Sequence, residues 1–233
     1  AGGAGGTYMS MTNLVTNAGV VGTDVTGVGT DRNRLAVCRY GTDTAIFGFG
    51  WSGSYVAMTN LVTNVGVVGT DVTGVGTGRR YIAACEYGGD KGIFAYGNNG
   101  SDTAVSNLVS NVGVVASDVT GVGTARGGLA ACSYGEDKGI FGYGFLDGSS
   151  TPVSMTNLVS NAGVIATDTT GVGTARDELG ACEYGGDKAI FGYGSSSGSY
   201  KSLTNLVSNA GVVATDTTGV GTARDGVAAC SFN

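Results

Sequence analysis

Histidine is missing from this 233-residue chain. Its absence removes the usual acid–base group near neutral pH, the commonest metal ligand, and the Ser/His and Cys/His nucleophile pairs. Proline and tryptophan occur once each, and charged residues make up only 13% of the chain. The formal charge is -6. An acidic surface repels phosphate backbones, so nucleic acid is not expected as a partner. No apolar run approaches the ~18 residues of a membrane span, so membrane insertion is not expected either. The opening AGGAGGTYMS lacks the basic and apolar regions of a signal peptide.

Glycine is what the chain has in excess, with 45 residues, beside 42% apolar residues. Without a collagen period, and with little charge or proline, this composition predicts many short strands joined by tight turns. The length fits a single domain spanning 1–233.

The segment TNLVSNAGVIATDTTGVGTAR begins at Thr156, with near copies at Thr12, Thr59, Ser106 and Thr204. The period is 47 to 50 residues, too long for leucine-rich or ankyrin units and suited to a propeller blade of four strands. In the unit from Leu179, a strand of small residues (179–184, strand a) leads through a tight turn at Gly185 and Gly186 to a β-prone run (190–194, strand b). A variable loop follows. Strand c (201–208) alternates Leu203, Asn205 and Val207 with Thr204, Leu206 and Ser208. After a short turn comes strand d (212–218), and residues 219–224 cross to the next unit. The five cysteines, Cys38, Cys85, Cys132, Cys182 and Cys230, are 47, 47, 50 and 48 residues apart, one per repeat. Equivalent residues of sheets packed face to face lie about 8–10 Å apart, too far for a disulfide. Five reduced, buried thiols are expected, with no metal.

The sequence GTAR, then LAAC-x-YGGDK, then IFGYG, then NLV and a hairpin, resembles the kelch β-propeller repeat over nearly the whole chain. Gly-Tyr-Gly or Gly-Phe-Gly stands where that family has a glycine pair, and Thr-Asp-x-Thr-Gly where it has a tryptophan. The resemblance implies a five-bladed propeller of four-stranded antiparallel blades. It also implies binding through the face that carries the b–c loops and the d–a crossings. Its enzymatic members are copper radical oxidases with histidine ligands, which this chain lacks. In such a ring the fifth blade takes strand a from residues 227–232 and strands c and d from residues 8–16 and 20–26. Ile-Phe occurs only at Ile46, Ile93, Ile140 and Ile190, so strand b of that blade falls to residues 1–6 or to a neighbouring chain.

Variation among the repeats gathers in the b–c loops and the crossings, while the a–b and c–d turns barely change. Asp24, Asp71, Asp118, Asp168 and Asp216, each eight residues before an arginine, read as framework salt bridges between strand d and the crossing. The asparagines of strand c read as backbone hydrogen bonders, and Tyr87, Tyr134, Tyr184, Tyr96, Tyr143 and Tyr193 as packing between repeats. The candidate ligand-binding residues are the unrepeated ones: Trp51, Tyr55, Arg80, Tyr81, Asn98, Asn99, Asp102, Phe145, Asp147 and Tyr200. Exposed aromatic and polar groups on rigidly held loops make a common recognition surface. The expected function is a non-enzymatic recognition or adhesin module for a glycan or a surface protein, without cofactor, outside the cell or on a virion. The alternative is a structural repeat protein, with self-association through the incomplete fifth blade.

Overall fold

A computed structural model describes residues 8–146 and 151–231. Among these the chain is all β, with strands in small antiparallel sheets. The first repeat contributes β1 (Ala36–Tyr40), β2 (Thr44–Gly48) and β3 (Thr59–Val62). The second contributes β4 (Ala83–Tyr87), β5 (Lys91–Ala95) and β6 (Ser106–Val109). The third has β7 (Ala130–Tyr134), β8 (Lys138–Gly142), the ribbon β9 (Phe145–Leu146) and β10 (Thr151–Pro152), and β11 (Thr156–Val159). The fourth has β12 (Gly180–Tyr184), β13 (Lys188–Gly192), the ribbon β14 (Ser195–Ser196) and β15 (Ser199–Tyr200), and β16 (Thr204–Val207). Each repeat forms a three-stranded sheet with its b strand in the middle.

The expected fourth strand is reduced to two isolated bridges per repeat. In the first repeat these are Thr59↔Val72 and Val62↔Val68. Three steps along β3 face four along its partner, so the outer segment carries one extra residue, a bulge. Asn60 explains it: its side-chain amide donates to the Gly69 carbonyl at 3.0 Å and to Asp71 Oδ1 at 2.9 Å. The strand expected at residues 227–232 is likewise absent over 227–231, where no described b strand pairs with it; residue 232 lies outside the described residues. Residues 8–26 form only isolated bridges, Met9↔Arg32, Thr12↔Val25 and Val15↔Val21. Residues 1–6, the proposed source of the missing b strand, also lie outside the described residues.

Neighbouring sheets pack through their a strands, β1 on β4, β4 on β7 and β7 on β12. Each of the three junctions has its own apolar cluster, drawn from both repeats. The closest approach explains a conserved-looking pattern of small residues within the chain. A Cβ on Gly92 would stand 2.6 Å from Cys38 Sγ, and one on Gly139 2.5 Å from Cys85 Sγ, so at these two junctions strand b approaches the preceding cysteine as glycine. Cys38, Cys85 and Cys132 are buried free thiols, and burial pushes Cys38 up to about 12. Cys182 is half-buried and Cys230 exposed, which corrects the expectation of five buried thiols. Their cover would come from the next repeat, and β12 has only the irregular residues 227–231 beside it.

Buried arginines lock the junctions. Arg126 donates Nε to the Tyr143 carbonyl at 2.8 Å, NH1 to the Thr124 carbonyl at 3.0 Å, and NH2 to Asn157 Oδ1 at 2.7 Å. Asp168 accepts from the Thr124 backbone and hydroxyl and from Asn157, and lies 3.9 Å from Arg126. The arginine thus meets the aspartate that follows it, in the repeat it leads into, not the one eight residues before it. Arg32 with Asp71 and Arg176 with Asp216 repeat the pattern, at 3.6 and 3.5 Å. The crossing carries each arginine away from its own outer segment. Gly123 is held at φ +76°, where a Cβ would collide with Asp168 Oδ1.

The two edges of the sheets face opposite ways. At one edge the a–b turns are tied to the c–d turns, as in Asn111 to Asp90 at 3.1 Å and Asn161 to Asp137 at 3.0 Å. At the other, the crossings pair with the b–c loops: Asn33↔Trp51, Arg80↔Asn98, Gly127↔Phe145 and Asp177↔Ser195.

Candidate functional site

Those four bridges place the variable loop beside the variable crossing in every sheet. In the first two repeats they also bring most of the candidate residues together. Trp51 and Tyr55 meet edge to face, with ring centroids 4.8 Å apart. The Arg80 guanidinium lies over three rings at once: Trp51 at 4.9 Å, Tyr81 at 5.3 Å and Tyr55 at 5.6 Å. Tyr81 in turn stands edge-on to Phe145 at 5.3 Å. The Tyr55 hydroxyl donates to Asn98 Oδ1 at 3.4 Å, and the Asn98 amide donates to Asp102 Oδ1 at 3.2 Å. Trp51 donates its ring N–H to the Tyr8 hydroxyl at 2.9 Å. The result is a continuous aromatic ridge with one cation seated in it. Such contacts are worth about 0.5–2 kcal/mol each and fix ring orientation.

Not every candidate joins it. Asn98 is buried and serves as a brace beneath the ridge, while its neighbour Asn99 is exposed. Tyr200 stands 59% exposed on the β14–β15 ribbon, outside this chain of contacts. Asp147 lies outside the described residues.

The ridge borders a cavity of about 580 Å³ whose wall comes from all five repeats. Five residues, Arg34, Tyr81, Gly128, Glu178 and Gly226, which we call the rim, line it together with the apolar residues that follow each: Leu35, Ile82, Leu129, Leu179 and Val227. The five rim residues are equivalent, and each has a positive φ: 53°, 56°, 64°, 50° and 60° in that order. Their backbones form a belt. Tyr81 N–H donates to the Arg34 carbonyl, Gly128 to Tyr81, Glu178 to Gly128, and Gly226 to Glu178, at 2.9 to 3.1 Å. Glycine adopts this conformation freely, whereas another residue costs about 1–2 kcal/mol. Two rim positions are glycine; Arg34, Tyr81 and Glu178 are held there against that cost.

Electrostatics sharpen the rim. The Arg34 guanidinium covers the Tyr81 ring at 4.3 Å. Burial lifts the Glu178 carboxyl above its ordinary range, helped by Asp225 and Asp177, against the pull of Arg34. Burial also raises the Tyr81 phenol. Two polar atoms are buried without a hydrogen-bond partner here, Arg80 Nε and Asn33 Oδ1. Among the described residues, no three Cys, Asp or Glu side chains gather as a metal site.

Compared with family models and with curated proteins, the chain has no match.

Arg34, Glu178 and Asn33 escaped the reading of the sequence. A signal was present: aligned by repeat, Arg34 and Glu178 stand where Gly128 and Gly226 stand. A bulky residue replacing glycine at one place in a repeat marks a side chain kept for its own sake. The pairing of Trp51 with Arg80, 29 positions apart, had no such mark.

Proposed function

We propose that the five repeats form a kelch-like, five-bladed β-propeller, and that the face carrying the b–c loops and crossings recognises a glycan or a surface protein. The cavity walled by all five repeats and the backbone belt around it support the ring. One observation carries the recognition reading. A guanidinium seated on Trp51, Tyr55 and Tyr81 keeps Nε unsatisfied, with Asn33 Oδ1 unsatisfied nearby. Buried polar atoms left in this way cost about 1–3 kcal/mol each, a cost that bound hydroxyls, accepting from Nε and donating to Oδ1, remove. Apolar ring faces with a few convergent donors and acceptors suit a sugar or a planar side chain.

On this reading the protein acts without a cofactor or catalytic step, at a cell or virion surface. Ligands selected on a glycan array and a surface-protein panel should quench or shift Trp51 fluorescence. The double variant Trp51→Ala, Tyr81→Ala should bind them at least tenfold more weakly while keeping its far-ultraviolet dichroism. Undiminished binding by a folded double variant would sink the proposal.

The structural alternative also has an observation in its favour. Among the described residues, Asn13 and Asp24 bond to each other at 2.8 Å with no arginine upon them, and Arg224 is exposed with no aspartate beneath it. The two halves of a fifth junction are therefore displayed unassembled.

A further inference from the structure

We infer that the outer side of the first repeat holds an aromatic socket for the tyrosine or phenylalanine of a Gly-Tyr-Gly strand, supplied by a partner polypeptide.

The chain itself shows what fills such a socket. At three junctions the ring that ends strand b, Phe49, Tyr96 or Tyr143, is fully buried. The next repeat's arginine covers it: Arg79 at 4.3 Å, Arg126 at 4.4 Å and Arg176 at 4.7 Å. The next repeat's phenylalanine meets it at 5.2, 5.4 and 5.2 Å, through Phe94, Phe141 and Phe191. The hydroxyls of Tyr96 and Tyr143 donate to the carbonyls of Val122 and Val172 at 3.1 Å.

The same parts recur at the start of the chain without the ring. The equivalents of arginine, phenylalanine and valine are Arg32, Phe47 and Val28, and all three line one cleft. Arg32 is 4% exposed, yet no ring lies against it among the described residues, and its Nε has no hydrogen-bond partner. Arg79, Arg126 and Arg176 each donate that atom, to the carbonyls of Tyr96, Tyr143 and Tyr193. Phe47 is half-exposed, where its three equivalents are fully buried. The segment Thr12–Val15 bridges to Val25 and Val21 on one side, and no described strand pairs with its other edge. Met9 bridges Arg32 and lines the cleft, so an entering strand must displace it, and would gain in return a backbone partner, a cation over its ring and an acceptor for its hydroxyl.

Residues 1–6, Ala-Gly-Gly-Ala-Gly-Gly, hold no aromatic side chain. A second copy would offer only b strands already paired on both edges, as β2, β5, β8 and β13 are. The occupant is a partner polypeptide with a free Ile-Phe-Gly-Tyr-Gly-like strand, the kind of segment that fills this place at the three complete junctions. The inference is independent of the ligand at the Trp51 ridge.

The test titrates the 233-residue protein with a labelled, capped peptide, Lys-Ala-Ile-Phe-Gly-Tyr-Gly-Ser, copied from residues 188–195. Saturable binding at one site per chain is expected. Replacing the peptide tyrosine by phenylalanine should change affinity only a few-fold, and by alanine at least tenfold. These arms leave the protein unaltered, so misfolding cannot imitate them. Arg32→Met should weaken binding at least fivefold, and Tyr81→Ala, at the other site, should leave it unchanged. Equal binding of the tyrosine and alanine peptides, or no saturable binding, would overturn the socket. A dimer in sedimentation that the peptide dissociates would overturn the assignment to a partner other than a second copy.

Discussion

The junction between the second and third repeats and the open side of the first repeat are built from the same parts and end in different states. Arg126 lies over Tyr96, bonds Tyr143, Thr124 and Asn157, and is fully buried. Arg32 keeps Asn60 and Asp71 but, among the described residues, has no ring against it and no Nε bond. Phe141 is fully buried and Phe47 is not. The motif is therefore a half-site. Its arginine, asparagine and aspartate assemble from one side, and the aromatic strand completes it from the other. Repeat proteins distribute stability over such interfaces more than over single units.

The largest test of that contrast is Arg126→Met against Arg32→Met. Removing the buried arginine of a complete junction should cost about 3–5 kcal/mol, because Asp168 and the Tyr143 carbonyl lose a partner. Removing Arg32 should cost about 1–2 kcal/mol, since part of its network was never made. Urea unfolding of the two variants measures both, and equal losses would break the comparison.

A smaller effect concerns the aspartates. Burial works to raise Asp168, but hydrogen bonds from Thr124 and Asn157 and the charge of Arg126 outweigh it, leaving its carboxyl below the ordinary range. Asp71, Asp118 and Asp216 are lowered by the same balance. Their ionised forms favour the fold, so this stabilisation is complete above the unfolded value of about 4 and fades as pH falls through the folded values. Asp168→Asn should cost about 2 kcal/mol at pH 7 and flatten the loss of stability as pH falls below about 4. Asp24→Asn, with only Asn13 against it, should stay within about 0.5 kcal/mol. Unfolding midpoints across pH would show whether the complete junctions alone carry the acid sensitivity.

The smallest prediction leaves the junctions alone. Glu136 sits in an a–b turn at φ +70°, where Gly89 and Gly186 sit in equivalent turns at 75° and 81°. Glu136→Gly should stabilise by about 0.5–1 kcal/mol, the relief of backbone strain less the added freedom of the unfolded chain. A gain there, beside losses at Arg126, would separate turn strain from junction energetics.

Much of this was legible in the residues alone. Short apolar runs bounded by glycine declared β strands, and the recurrence of Cys38, Cys85 and Cys132 at one spacing declared equivalent positions. Alternation along strand c put Asn205 and Val207 on one face and Leu206 on the other, and the burial of β16 shows the first of these faces turned inward. The separation of constant from variable edges also followed, since antiparallel strands must turn at alternate ends. These are local properties, fixed by side-chain period and turn chemistry within a few residues.

What tertiary structure alone decided are the contacts between repeats. Sequence spacing paired each arginine with the aspartate before it; packing gave it the aspartate of the repeat it leads into, some 40 residues on in the case of Arg176 and Asp216. The bulge that breaks the outer strand depends on where Asn60 reaches, and the ridge at Trp51 and Arg80 on how two sheets lean together. A repeat's own sequence is nearly blind to its neighbour. The burial, charge balance and empty socket all arise where two repeats meet, so only the assembled chain determines them.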